Sequence, residues 1–368
     1  MHSSILKNAL TILLGIFLAL VVLEVGLRII NPFEMRVRGN QIILPVNKVY
    51  ELRNIQVPGL QQEVRHTKNS LGFRGPEPKE AHPEAIRIFA IGGSTTESFY
   101  QPDGYDWPAI AENVLLANGL NVWMNNAGLD GHSTFGHNIL LNDFLIDLKP
   151  DIILVMAGLN DVSRLEMDET NIRRGLQFGS RREVVTSLAH YSEIMATMLH
   201  LHRVYVASRQ GLRHAFLDFS SLGEIEYPFN HIDEVLEYQE EWFLDGFRAR
   251  LTAFVETSLR NEIKPVLITQ ATAVGFGIDP HTGIDLAAVD LGGFSGALFW
   301  SMVEQYNDVI REIAKKNDLL LIDLARELYK NTLFFYDAVH MTDAGAAETG
   351  QIIGTRLSEW LEKLKVEG

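Results

Sequence analysis

The chain contains no cysteine among its 368 residues. A disulfide framework and a thiolate zinc site are therefore excluded, and the redox state of the compartment leaves no mark on the sequence. Basic residues are scarce as well: 32 Lys and Arg face 47 Asp and Glu, for a formal charge of -15. Non-specific attraction to nucleic acid or to an anionic membrane surface needs the opposite balance, so a neutral or small substrate fits better. There is no low-complexity run and no internal repeat. Neither glycine pattern that cradles nucleotide phosphates is present, since "GGSTTE" (92–97) is neither G-x-G-x-x-G nor a Walker loop, and Glu97 would repel an anion there. What remains is a chain with 46% hydrophobic residues, long enough for one large or two small domains with a buried core.

Charge is also absent from Ala9 to Leu23, and the apolar character resumes after Glu24 as "VGLRII". A helix from about Ile5 to Ile30 would span a bilayer, which needs roughly 20 residues. Glu24 and Arg28 stand four apart with the acid first, so they can pair near the membrane boundary. No A-x-A-like site follows the apolar stretch, which favours an uncleaved anchor over a signal peptide or a buried core helix. Lys7 precedes the segment while Arg28, Arg36 and Arg38 follow it, a count that slightly favours a cytoplasmic domain. That rule weakens when a long domain follows a short tail, so charge leaves the orientation open.

Three regions follow from the patterning: an anchor over 1–30, a stalk and irregular wrap over 31–85, and a catalytic domain over 86–368 with an insertion at about 161–230. The wrap is punctuated by Pro32, Pro45, Pro58, Pro76, Pro78 and Pro83, and "NSLGFRGPEP" (69–78) predicts a fixed turn. Beyond it, short apolar runs such as "IRIFAI", "DIILVMAG", "KPVLITQ" and "LLLIDL" alternate with helical stretches, including 107–118, 136–148, 232–260, 300–316 and 344–364. This alternation predicts a three-layer α/β/α sandwich around a mostly parallel, doubly wound sheet. In the insertion the periodicity is poor and aromatics such as Phe178, Tyr191, Tyr205, Phe216 and Tyr227 are scattered, which reads as a layer over the domain.

In a doubly wound sheet, ligands bind beyond the carboxyl ends of the strands. Four segments fall there: "GGST", "NNAGLDGHS", "AGLND" and "YDAVHMTDAG". Ser94-Thr95-Thr96-Glu97 satisfies the S-x-x-E capping box, so Ser94 can be a helix N-cap. It can equally be a nucleophile if a base, an orienting acid and oxyanion donors are present. His340 with Asp337 three residues earlier supplies the base and the acid. The amides of Ser94 and Gly128 and the side chain of Asn160 supply donors, although Gly128 and "GLND" taken singly also read as ordinary turn residues.

Serine in "GGST", glycine in "NNAG", asparagine in "GLND" and histidine in "DAVH", in that order, resemble the four blocks of the SGNH hydrolases, also called the GDSL family. The resemblance runs from about Arg87 to Leu364. It implies an SGNH or flavodoxin-like fold, Ser94 as nucleophile, His340 as base, Asp337 as its acid, and Ser94, Gly128 and Asn160 as the oxyanion hole, with no metal or cofactor. The block reads "GGST" where the eponymous motif has an acid before the serine. The anchor, the insertion and "GFRG" look similar to membrane-attached members associated with bacterial envelope polysaccharides, which implies an exported domain, periplasmic or extracellular.

The expected activity is therefore removal or transfer of O-acetyl or other short acyl groups on a carbohydrate. A lipase, phospholipase or thioesterase, and a catalytically silent carbohydrate-binding or scaffold protein, are the alternatives. Among the remaining candidates, His132 and His137 have poor spacing for a metal. Asp161 is read as a brace for its loop, and Phe99, Tyr100, Tyr105 and Trp107 as a sugar platform or as packing. Arg74 is read as a salt-bridge partner more readily than as an active-site group.

Overall fold

Five short apolar runs become parallel strands in the computed structural model, which describes residues 2–367 apart from 31, 34, 39–40, 54, 79–82, 163–186, 210–215 and 227–228. The chain divides into two compact units, 1–43 with 169–213 and 44–168 with 214–368.

The first unit is built on helix α1 (His2–Ile29), whose apolar stretch Ile5–Ile29 is long enough to cross a membrane and is unburied along its length. It also holds a short antiparallel pair, β1 (Val37–Arg38) and β2 (Gln41–Ile42). The 161–230 segment was expected to form one layer over the catalytic domain. Its helix α5 (Glu193–Arg209) instead belongs to this unit and packs against α1. The expectations for Phe178 and Tyr227 lie outside the described residues.

The second unit opens with an antiparallel hairpin, β3 (Val49–Arg53) and β4 (Glu63–Thr67), where the proline-rich wrap was expected to be irregular. The pairing is long-range and its outer residues alternate exposed and half-buried, too weak a pattern to stand out in the sequence. The turn at 69–78 is fixed by Asn69, whose Oδ1 accepts from the amides of Leu71 and Phe73 while its Nδ2 donates to Asn125. Arg74 then bridges to Asn126, adding the wrap to the edge of the sheet.

The sheet holds β5 (Ile86–Gly92), β6 (Val122–Asn126), β7 (Ile152–Met156), β8 (Lys264–Ile268) and β9 (Leu321–Ile322) in the order β6-β5-β7-β8-β9, all parallel. This is the flavodoxin-like 2-1-3-4-5 order, and its switch point lies between β5 and β7. Both faces are covered, so the strands carry continuous apolar runs. Ile88 and Ala90 pack with α3 (Trp107–Ala117) and the last helix, α10 (Asp343–Glu367), whereas Phe89 and Ile91, equally buried, face the opposite side. Glycines at 350 and 354 let α10 approach α3, since a Cβ at either would sit 2.6–2.7 Å from Ile110 or Val114.

On the far side lie α4 (Thr134–Leu140), α7 (Asp245–Arg260) and α8 (Gly296–Lys316). Helix α4 starts two residues before the expected 136, and a π turn and a 3-10 turn carry it to Leu148. The expected 232–260 helix is α6 (Phe229–Gln239), a π turn and α7. Helix α8 begins at Gly296 and not at 300, because Ser295 caps it by accepting from the Leu298 amide. The remaining short helices are α2 (Ser94–Glu97) and α9 (Leu324–Glu327).

One partly buried acid is expected to give the fold a pH dependence. Glu112 of α3 accepts from the Met124 amide at 2.7 Å. Burial pushes its carboxyl up from 4.5 to about 7, with Asp106 adding to the shift and the Met124 amide opposing it. An acid raised in the folded state stabilises fully below its unfolded value and loses that contribution as pH rises through the folded one. The thermal midpoint should therefore fall between pH 5 and pH 8, and Glu112→Gln, which keeps an acceptor for Met124, should flatten that decline. Melting curves across this range check it; identical slopes in both proteins would refute it.

Candidate active site

Strand β5 ends in two glycines, and each is required by what lies against it. A Cβ at Gly92 would meet Thr96 Oγ1 at 2.1 Å, and one at Gly93 would meet the side-chain amide of Asn160 at 2.3 Å. The space that an acid before the serine would occupy is thus filled by Asn160. Helix α2 follows, with Gly93 as its N-cap residue and Ser94 at its first helical position. The capping-box reading fails here: no side chain caps α2, and Ser94 Oγ lies 2.7 Å from His340 Nε2.

His340 comes from the turn before α10. Its Nδ1 lies 2.6 Å from Asp337 Oδ2, while Asp337 Oδ1 accepts from the amides of Val339 and His340. Burial pushes the Asp337 carboxyl up, but the bonds to His340 and the two amides outweigh it and hold the group below the usual carboxylate range. An ionised Asp337 can only accept, so Nδ1 carries the ring proton and Nε2 faces the serine as an acceptor. Tyr336 stacks on the imidazole at 5.6 Å and 11°, fixing its plane.

Three groups were expected around the oxyanion. As the first residue of α2, Ser94 has an amide with no acceptor inside the helix. Asn160, in the 3-10 turn after β7, donates from Nδ2 to the His132 carbonyl at 3.1 Å, which leaves that nitrogen's second hydrogen beside Gly93. The Gly128 amide instead donates to Asn126 Oδ1 at 2.9 Å, so it is not offered to a ligand in this arrangement. The glycine is needed for packing, because a Cβ there would lie 2.4 Å from the Glu97 amide nitrogen.

Apart from the salt bridge expected of Arg74, the supports of α2 are not legible in the sequence. Glu97 forms a fully buried ion pair with Lys68 at 3.0 Å and accepts from the Asp130 amide, tying the helix to the wrap and to the loop after β6. Arg74, 1% exposed, donates to the carbonyls of Glu97, Ser98, Gln101 and Pro102 and pairs with Asp106 at 3.3 Å. It is the structural partner the sequence suggested, placed beneath the turn that carries Ser94. Gln101 donates to the Met341 and Thr342 carbonyls, joining the serine loop to the histidine loop. Asp161 braces its turn as expected, accepting from Thr134 and pairing with Arg250 at 3.0 Å.

One cavity adjoins the serine, and a second shares two of its lining residues. A chamber of about 10 Å³ is lined by Ser94, Tyr100, Gln101, Tyr336, His340 and Met341. A cleft of about 410 Å³ shares Tyr100 and Tyr336 with it and is walled by Leu52, Ile55, Val57, Leu60 and Phe216. Of the four aromatics after Ser94, only Tyr100 lines these spaces; Trp107 is core, and Phe99 packs on His66 at 4.8 Å.

A doubly wound sheet with a Ser-His-Asp line at its switch point has the architecture and the groups of a serine hydrolase. A profile of the GDSL-like lipase/acylhydrolase family matches residues 90–348, and the chain belongs to that family. An arylesterase from Vibrio mimicus is 27% identical over 75 residues, 20% of this chain; the match spans only 38% of that relative's length. Among solved structures, a putative lipolytic protein of the G-D-S-L family from Desulfitobacterium hafniense aligns with TM-score 0.41 and 13% identity, over 74% of this chain and 99% of that one. An acetylxylan esterase from Geobacillus stearothermophilus aligns with TM-score 0.43 and 17% identity, over 74% and 94%.

Arg74→Ala would leave two buried and two partly buried carbonyls and Asp106 without their cation, a change that typically costs ~3–5 kcal/mol. Urea unfolding should show a loss of that size. A variant within about 1 kcal/mol of wild type, less than a typical buried pair loses on truncation, would mean that the clamp contributes little.

Proposed function

We propose that the protein is a serine esterase that removes or transfers a short acyl group, acetyl above all, on a carbohydrate. The observation that carries this reading is the continuous hydrogen-bonded line from Ser94 Oγ through His340 to Asp337. In the proposed reaction Ser94 Oγ attacks the ester carbonyl carbon as its proton passes to His340 Nε2. Asp337 stabilises the imidazolium, and the carbonyl oxygen, now an anion, accepts from the Ser94 amide and from Asn160 Nδ2. Collapse breaks the bond to the alcohol, which leaves with the proton from Nε2. Water or a sugar hydroxyl then gives its proton to Nε2 and attacks the acyl-enzyme, releasing the acid or a new ester and restoring Ser94.

The size of the spaces supports a short acyl group. The chamber beside Ser94 has room for about one water-sized group, which suits the methyl of an acetyl. The adjoining cleft is in the range of small-ligand sites and combines aromatic faces with Glu51, Arg53 and Gln56, which suits a sugar ring as the alcohol part. A second reading rests on the same cleft: Leu52, Ile55, Val57 and Leu60 would also suit a long acyl chain, as in a lipid-directed esterase. The apolar helix α1 supports attachment to a membrane, and the proposal puts the catalytic unit on its exported side.

Turnover of acetylated oligosaccharide by the full chain in detergent should exceed turnover of long-chain esters of the same alcohol. The reverse order would favour the lipid reading. Ser94→Ala should abolish turnover of both, and Asn160→Ala should lower it roughly 100-fold to 1000-fold, the usual effect of losing one oxyanion donor. Near-normal turnover by Asn160→Ala would remove that residue from the site.

A further inference from the structure

Glu24 is a carboxylate inside an apolar run, and within its own unit the structure gives it a partner. Its Oε1 accepts from the Glu193 amide at 2.9 Å and its Oε2 from the Ile194 amide at 3.2 Å and from Ser192 Oγ at 2.8 Å. These are the orphan donors at the start of α5, so the acid of α1 caps the other helix. Arg28 completes the junction, pairing with Glu24 at 2.9 Å and donating to the Tyr191 carbonyl at 2.7 Å. Arg38 pairs with Glu193 at 2.6 Å. The contact lies in the last turns of α1, roughly 8 Å before its end at a rise of about 1.5 Å per residue.

Helix α5 turns one side inward, where Glu193, Ala196 and Thr197 are buried and His200 meets Phe33. Another side carries exposed apolar residues: Met198, Leu201 and Tyr205, spaced i, i+3 and i+7, are 47–60% exposed. Leu188 and Tyr191, just before the helix, are 49% and 73% exposed. A stripe at this spacing ordinarily faces a core. We propose that residues 188–205 form a second membrane-contacting element, with this stripe set into the interfacial layer of the bilayer that α1 crosses.

The inference rests on reading α1 as a membrane span, and the occupant follows from continuity with it. The cap fixes the start of α5 at a depth of 5–10 Å, where interfacial helices bury their apolar faces. Backbone donors at that depth find little water, so an internal acceptor at the N-terminus of α5 and internal donors for Glu24 are favoured. Each answers the requirement of the other. Tyrosines at 191 and 205 have the amphipathic rings that favour the headgroup level. The chain's negative charge argues for contact through apolar area and not through anionic lipid.

A cysteine-free chain permits a direct test with single nitroxide labels. Leu14→Cys on α1, Met198→Cys and Leu201→Cys on α5, and Thr355→Cys on α10 are labelled in the full-length protein in phosphatidylcholine vesicles. Collision with oxygen and with a water-soluble nickel chelate is then measured. The 198 and 201 labels should show an oxygen-to-nickel accessibility ratio severalfold above that at 355 and below that at 14. Adding Glu24→Ala should return the 198 and 201 labels towards the value at 355. Labels at 198 and 201 that match 355 while 14 stays oxygen-dominated would overturn the inference alone. Labels shielded from both reagents would mean that protein covers the stripe, and would also overturn it. A nickel-accessible label at 14 would overturn the membrane-span reading itself.

Discussion

The hydroxyl of Ser94 directs its single proton to His340 Nε2, and its oxygen accepts from none of the amides of α2. A four-residue helix whose first serine does not cap it must be held from elsewhere. Arg74 gathers the carbonyls that end α2 and the loop beyond it, and Lys68 holds Glu97 in a buried pair. The wrap that precedes the first strand of the parallel sheet is therefore part of the site's foundation.

The same device recurs around the site. Arg250 with Asp161 fixes the turn that carries Asn160, as Lys68 with Glu97 fixes the helix that carries Ser94. Buried ion pairs are poor sources of net stability, because desolvation cancels most of their attraction. Their use here is positional: each holds an irregular segment that regular backbone hydrogen bonds do not secure. Asp337 is the case that bears on the proposed chemistry. Its bonds to His340 and to two amides keep it ionised despite burial, and an ionised Asp337 sets the histidine tautomer.

The strands were legible because burial on both faces leaves unbroken apolar runs, and their parallel order follows from the helices between them. Ser94, Asn160, Asp337 and His340 were legible as a set because a doubly wound sheet gathers strand ends that are far apart in sequence. Local patterns misled where a distant partner decided the outcome. Ser94 and Glu97 form a capping box on paper, yet Glu97 answers to Lys68, 29 residues earlier. Gly128 looked like an available amide, but Asn126 two residues before it takes the hydrogen. The hairpin of β3 and β4, and the association of α5 with α1, are long-range pairings that no periodicity announces.

The central claim is that Ser94 is a nucleophile activated by the His340–Asp337 pair. Intact-protein and peptide mass spectrometry after reaction with an organophosphonate tests it most directly. The account predicts one adduct per chain, on Ser94, at a rate that collapses in His340→Ala and follows ionisation of a single basic group. Folded protein that takes up no adduct, or carries it on another residue, would contradict the account.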